Sequence, residues 1–450
     1  MDKRTGSELL FSYRGMPPLG QVIPLGLQHV VAAVVGVITP AILISDVCGL
    51  SEAEETLMIQ VSLVLTAVAT LLQLFPLFRR IGSGLPVIMG ISFAYIPTLT
   101  AIGGQFGLPT ILGAEIVGGV VAILFGVLVK WIRPLFPPLV TGTVIFTIGL
   151  SLYPTAVRYM AGGSAGSEWF GSPRSWLVAL ITLAVVVILS HFTKGILKLS
   201  AILIGMVVGY VVAFFLGIVD LSGVASAGWF ALPEVMPFEI EFVPSACVSL
   251  AIVYIVNSVQ TIGDLSSTTM GGMDRLPTDR ELSGGIVGQG IMSVVGALFG
   301  GLPTASYSQN VGIVTVNRVI NRAVFALAAI LLLVAGLVPK FAAALTTIPQ
   351  CVIGGATLSV FATITMTGIR MITEGGFTAR KSSIVGLSVA LGVGITQVEG
   401  CLSGAGFPEW VSTVFSSSSV VVATIMAILL NLILPKEQGG AEPAAGENAR

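Results

Sequence analysis

The residues best suited to chemistry lie in Ser308-Gln309-Asn310-Val311-Gly312, directly after Gly300-Gly301-Leu302-Pro303-Thr304-Ala305-Ser306-Tyr307. Hydroxyls and two amides follow a glycine- and proline-broken stretch inside a strongly apolar region. A carboxamide offers one acceptor and two donors at every pH, so such a pair suits the edge of a planar molecule that alternates donors and acceptors. Unwound backbone at membrane depth is tolerated only where protein or a water-filled cavity satisfies it. Short Gly/Pro-interrupted apolar segments are the sequence pointer to a carrier's binding site. The chemistry expected here is therefore reversible recognition. No nucleophile–base pair or phosphate-binding loop is apparent. Cys48, Cys247, Cys351 and Cys401 are scattered without metal or disulfide spacing. No enzyme activity, metal or cofactor is expected.

These groups must be positioned by membrane helices. The chain has 450 residues, 54% hydrophobic and 10% charged, with mean hydropathy +0.99, against roughly 25% charged in soluble domains. The net charge of −1 gives no reason to expect a nucleic-acid partner. The first fifteen residues are polar and lack the apolar core of a cleavable signal. A span needs about 20 apolar residues, and fourteen such segments are expected, near 20–45, 55–77, 85–101, 108–131, 133–155, 175–193, 196–219, 243–264, 284–301, 303–317, 320–341, 345–371, 380–398 and 415–435. With both termini inside, alternation puts eighteen of the 21 Lys and Arg on the inner side and only Arg158, Arg174 and Lys340 outside. That is the bias expected of inner-face loops. The charged, Gly/Ala-rich tail from 436 to 450 reads as disordered.

The third span carries Gly-Leu-Pro at 84–86 and then Ser92-Phe93-Ala94-Tyr95. The tenth carries Gly-Leu-Pro at 301–303 and then Ser306-Tyr307-Ser308-Gln309. Seven spans separate them. An odd number of spans inverts the second copy across the membrane, the plan of many secondary transporters. The expected fold is thus an all-α polytopic membrane protein of 14 segments in a 7+7 inverted repeat, with half-helices or short strands in spans 3 and 10. Facing half-helix N-termini would aim free N–H groups at one midplane cavity.

These motifs resemble the nucleobase–ascorbate transporters, the nucleobase:cation symporters of the second type. The resemblance runs from Gln28-His29 to the twelfth span. It is carried by Gln309-Asn310-Val311-Gly312 ending in Asn317-Arg318, by Ser92-Phe93-Ala94, by Thr261-Ile262-Gly263-Asp264, and by the loop Thr278 to Gly285. Asn317 stands where the family has Thr. The resemblance implies a core domain of spans 1–4 and 8–11 (20–131 and 243–341), a gate domain of spans 5–7 and 12–14 (132–219 and 345–435), and a homodimer in the bacterial inner membrane. It also implies alternating-access transport of a nucleobase by proton symport, with Gln at 309 favouring xanthine or uric acid. With the amide chemistry above, the substrate-binding candidates are Gln309, Gln260, Phe93, Ser308, Asn310 and His29, Asn310 being the better suited to satisfying backbone freed by the broken helix and His29 acting indirectly by orienting polar residues of span 8.

Two positions depart from that pattern. The family's Glu of span 8 falls on Gln260, and its Asp of span 9 falls on Gln289, twenty residues before Gln309. An amide reads a base edge but does not titrate. Ion-coupling candidates are therefore Glu115, the one carboxylate well inside a span, His29, Asp264, which is expected at the inner end of span 8, and the altered position Gln289 itself. An ionisable residue inside a membrane is a functional hypothesis by default. The alternatives are a proton-independent uniporter or a carrier of an anionic base, a uracil permease, and a sulfate-type anion exchanger.

Overall fold

The computed structural model describes residues 8–435, except 133–135, 164–168, 195–196, 199, 220–223, 225–226, 399, 403, 405, 408–410, 412–413 and 416–417. The expected disordered tail and the basic residues Lys3, Arg4, Arg133, Lys436 and Arg450 fall outside that set. Fifteen α-helices are present among the described residues. They are α1 (Leu19–Cys48), α2 (Glu52–Leu74), α3 (Ile96–Phe106), α4 (Leu108–Ile132), α5 (Pro138–Met160), α6 (Pro173–Phe192), α7 (Ala201–Phe215), α8 (Pro244–Met273), α9 (Asp279–Leu298), α10 (Ser308–Asn317), α11 (Arg322–Gly336), α12 (Pro339–Thr346), α13 (Gln350–Thr373), α14 (Ala379–Gln397) and α15 (Ser419–Ile433). Eight are long and apolar enough to cross a membrane, or nine if α11 and α12, bent by 80° across Leu337-Val338, form one span.

Local chemistry sets these boundaries. The helices α2 and α9 each start in a reciprocal capping box, Ser51 with Glu54 and Thr278 with Glu281, which satisfies two orphan N–H groups apiece. Pro97, Pro138, Pro173, Pro244 and Pro339 occupy first-turn positions, where no N–H is needed. The burial pattern is that of a protein in lipid. On α6 only 28% of the apolar window is buried, and Leu177, Leu180, Val187 and Ile188 face outward. On α4 the outward face is Val120, Leu124, Val127 and Trp131.

The packing pairs elements across the two halves of the chain. The helix α4 packs on α9 and α8, while α11 packs on α2 and α1; α5 packs along α13. Gly119 of α4 and Gly290 of α9 sit at one such crossing, where an added Cβ on either would come within 2.8 Å of the other helix's backbone. Small residues let membrane helices approach this closely.

Between α2 and α3 the chain runs extended as β1 (Met89–Ile91), and between α9 and α10 as β2 (Thr304–Ser306). The two pair antiparallel, Met89 with Ser306, Gly90 with Ala305 and Ile91 with Thr304. An unpaired strand edge inside a membrane would be costly, and side chains satisfy both. Thr70 of α2 accepts from Met89 N–H at 3.0 Å, and Ser293 of α9 accepts from Thr304 N–H at 3.2 Å. Gly90 is required for the close approach of the two, since a Cβ there would meet the Tyr307 ring at 2.6 Å.

Candidate functional site

Each strand leads into a helix start. After β1, Ser92 accepts from Ala94 N–H, Phe93–Tyr95 make a 3-10 turn, and α3 begins. After β2, Tyr307 leads into α10 with no side-chain cap among the described residues, which leaves the first N–H groups of α10 available to a ligand. The Tyr307 hydroxyl instead donates to Ile91 O of the facing strand at 2.7 Å. Both starts open on one cavity of about 190 Å³. Ser92, Phe93 and Ala94 from the first start and Ser306, Ser308 and Gln309 from the second line it, together with Gln260 of α8. Ile145 and Ile148 of α5 and Val360, Thr363, Ile364 and Thr367 of α13 form the opposite wall. Drug-sized ligands occupy roughly 300–1,000 Å³, so this space suits one small ring system.

The walls differ in what they offer. Phe93 packs edge-on against Phe361 of α13, centroids 5.3 Å apart, and presents an apolar surface. Gln309 makes no side-chain hydrogen bond among the described residues, and its amide is exposed to the cavity. Gln260 Nε2 donates weakly to Ser308 Oγ at 3.5 Å. On the far wall, Thr363 and Thr367 direct their hydroxyl protons to their own helix, at Ser359 O and Thr363 O.

Behind the cavity lies a buried polar chain. Ser308 Oγ donates to Asp264 Oδ1 at 2.8 Å and Ser306 Oγ to Asp264 Oδ2 at 2.6 Å. Thr261 Oγ1 donates to Gln289 Oε1 at 2.6 Å. Gln289 Nε2 donates to Asn257 Oδ1 at 2.7 Å and to the Tyr95 hydroxyl at 3.3 Å. Ser306 Oγ lies 3.5 Å from Thr261 Oγ1 and links the two groups of contacts.

Of the residues expected from sequence, Gln309, Gln260, Phe93 and Ser308 therefore share the cavity. Asn310 and His29 are not on it. Asn310 Nδ2 donates to His29 Nδ1 at 3.0 Å and to His29 O at 3.1 Å, and the imidazole packs on Phe325 of α11. His29 thus contacts α10 and α11, where an influence on span 8 was expected. Asp264 was expected at a helix end, but α8 continues nine residues further, to Met273. The two serine hydroxyls hold the carboxylate there, buried beside the cavity. Gln289 is fully buried within the polar chain, and Glu115 of α4 is fully buried with no partner among the described residues on either carboxyl oxygen. Sequence reasoning passed over Ser306, Thr261 and the α13 wall. The hydroxyls of Thr363 and Thr367, spaced four apart on an apolar helix, were the signal available for that wall.

The sequence profile of Xan_ur_permease, described as a permease family, matches residues 20–401. The uric acid permease PucK of Bacillus subtilis is 35% identical over 93% of this chain and 96% of its own. The xanthine permease XanP of Escherichia coli is 32% identical over 96% of both chains. Among solved structures, the transmembrane domain of the cyanobacterial bicarbonate transporter BicA superposes with a TM-score of 0.61, covering 90% of this chain and 97% of that one at 16% identity. That last likeness concerns the fold alone.

Proposed function

This chain belongs to the Xan_ur_permease family of nucleobase permeases, membrane transporters rather than enzymes, and from that premise we propose that it carries an oxidised purine, xanthine or uric acid, by alternating access with proton symport. The observation that carries the reading is the convergence of Gln309, Gln260 and Phe93 on one small cavity at two helix starts. An aromatic face stacks on a planar ring. Two amides meet the alternating donors and acceptors of the ring's edge, and the uncapped start of α10 favours oxo groups that carry partial negative charge. A site built to hydrogen-bond rejects analogues lacking the partner group, because its own polar atoms are then left unpaired. The substrates named for PucK and XanP accord with such a ring.

Pairing of α4 with α9 and of α2 with α11, around the β1–β2 contact, is the exchange that a 7+7 inverted repeat of fourteen spans would produce. In this scheme α1–α4 and α8–α11 form a core that moves against α5–α7 and α13–α15, with the substrate held at their boundary. We place the protein in a bacterial inner membrane, as a homodimer, with both termini on the cytoplasmic side. Because Gln260 and Gln289 are amides, the coupling proton is held by another group, for which Glu115, Asp264 and His29 are the candidates.

The test is uptake of radiolabelled xanthine, uric acid and uracil by cells lacking their own permeases, with and without a protonophore. Saturable purine uptake that collapses with the protonophore is expected. Purine uptake indifferent to it would replace symport with facilitated diffusion. Failure of both purines, or preference for uracil or sulfate, would sink the substrate assignment.

A further inference from the structure

Two carboxyl groups are buried in the core helices, Asp264 beside the cavity and Glu115 on α4, and their surroundings are opposite. Both oxygens of Asp264 accept short hydrogen bonds, from Ser306 and Ser308. That group is satisfied, and it also fixes the start of α10. Glu115 is 0% exposed, and neither of its oxygens has a protein partner among the described residues. An isolated ionised carboxylate in such a place is far costlier than the protonated acid.

The surroundings of Glu115 connect it to the site. The residues Glu115, Gly118 and Gly119 share one face of α4. The Tyr254 ring of α8 packs on Gly118, and Gly119 meets α9 at Gly290 and Val294. A Cβ on Gly296 of α9 would lie 3.5 Å from Glu115 Oε1, so the carboxyl sits where α4, α8 and α9 meet. Tyr254 packs on Tyr95 with ring centroids 4.7 Å apart, and both tyrosines are within electrostatic reach of Glu115. From the Tyr95 hydroxyl the hydrogen-bonded contacts run through Gln289, Thr261 and Ser306 to Asp264, Ser308 and Gln260 at the cavity wall.

We propose that Glu115 holds the coupling proton, and that the Gln289-centred chain transmits its occupancy to the start of α10 and thus to the substrate amides. This rests on the purine-permease reading and names the group that drives it. Gln289 fits a transmitting role. It donates to two partners and accepts from a third, so its orientation is fixed by both α8 and the 3-10 turn before α3. A shift at the α4–α8–α9 junction that follows loss of the Glu115 proton therefore moves Thr261 and Ser306 as well. The titratable groups facing this junction are Tyr95, Tyr254 on α8, and the Glu241 carboxylate, which accepts from Thr110 near the first turn of α4. On α9 the ionisable residues Asp279, Arg280 and Glu281 lie in the first turn, some four helical turns from Gly296. From α2 the apolar Leu65 packs against Gly296.

The experiment uses the full chain reconstituted in proteoliposomes, with labelled xanthine or urate as probe. Accumulation under an imposed pH gradient is measured against counterflow at symmetrical pH. With one proton per purine, one pH unit sustains about tenfold accumulation. The wild type should reach this. E115Q should lose it while keeping counterflow within about twofold, a proton-holding group being dispensable for exchange. Accumulation by E115Q as in the wild type overturns the proposal, as does loss of counterflow in folded E115Q. Should E115Q fail to fold, E115D carries the test: its accumulation should persist with a displaced pH profile, and an unchanged profile overturns the proposal. Wild-type accumulation driven by a sodium gradient alone, or net purine uptake with no accompanying proton movement, also overturns it while leaving the substrate reading intact. A wild type that binds neither purine defeats the substrate reading first.

Discussion

The two chain breaks, at 89–95 and at 304–310, solve one backbone problem and then diverge. Each runs extended for three residues, pairs with the other, and borrows a hydroxyl from a flanking helix, Thr70 in one case and Ser293 in the other, for its outer N–H. Beyond that point the first break caps itself through Ser92 and ends in aromatic residues, Phe93 and Tyr95. The second has no side-chain cap and ends in Ser308, Gln309 and Asn310. A shared scaffold thus carries a stacking face on one side and edge-reading polar groups on the other. A flat ring held from both sides needs both, and a symmetric pair of breaks would supply one of them twice.

The largest effect should come from destroying what the breaks share. In Gly90→Val the new side chain would meet the Tyr307 ring, whose hydroxyl holds Ile91 O. Overpacking costs about 1–3 kcal/mol, occasionally more. Here it also separates two unwound segments that satisfy each other's backbone. Transport below detection is expected, together with a lower melting temperature by fluorescence-monitored unfolding. Gly312→Ala is the contrast, because nothing lies within 4 Å of its Cβ position, and it should leave the melting temperature unchanged or raised. Normal transport by Gly90→Val would mean the strand contact is incidental.

Within the second break, neighbouring amides should separate. Gln309→Ala removes a group exposed to the cavity. Losing a hydrogen bond to a buried polar partner costs about 1–3 kcal/mol, so purine affinity should fall roughly 5- to 150-fold with stability intact. Asn310→Ala removes both hydrogen bonds that tie α10 to His29 of α1 and leaves His29 Nδ1 and O short of a donor, so it should lower stability by about 1–3 kcal/mol ahead of any direct change in affinity. Binding and melting measurements on both variants check this, and the reverse assignment would move Asn310 into the site.

That division was only half legible in the sequence. Broken segments at Gly-Leu-Pro and an amide pair after the second were readable, because glycine and proline punctuate an apolar run locally. The sequence also favoured Gln309 for the ligand and Asn310 for the broken backbone, but it did not show that Asn310 is tied to His29, since helical phase at an irregular start is set by tertiary contacts. Asp264 was misjudged for a related reason. The span estimate stopped where hydropathy declined, at 264, whereas α8 continues to Met273. The partners of Asp264, Ser306 and Ser308, lie more than forty residues away in the chain, where periodicity carries no information. The other long helices, by contrast, follow from composition, and the ends of α1, α2, α4, α5, α6, α9, α13 and α14 fall within about five residues of the expected spans.

Next in size is Phe93→Leu, which tests the first break's distinct contribution. It keeps apolar bulk against Phe361 and removes the ring face. Aromatic pairing is worth about 0.5–1.5 kcal/mol beyond area burial, so a loss of affinity of about two- to twelvefold is expected, equal for xanthine and urate because stacking does not read the edge. A loss confined to one purine would assign Phe93 a role in edge recognition and erase the contrast between the breaks.

The smallest effect should come from Ser92→Ala. The Ser92 hydroxyl accepts from Ala94 N–H at 3.2 Å, and loss of an N-cap costs about 0.5–2 kcal/mol. Here the low end is expected, because Ser92 N–H also donates to Pro303 O of the facing break at 3.3 Å, a backbone contact the substitution leaves in place. The first break should hold its shape through the second, with a small drop in melting temperature and affinity within about twofold. A loss as large as that of Gln309→Ala would show that the Ser92 hydroxyl itself meets the substrate. The two breaks would then both read the ring's edge, and the division between a stacking side and a polar side would fail.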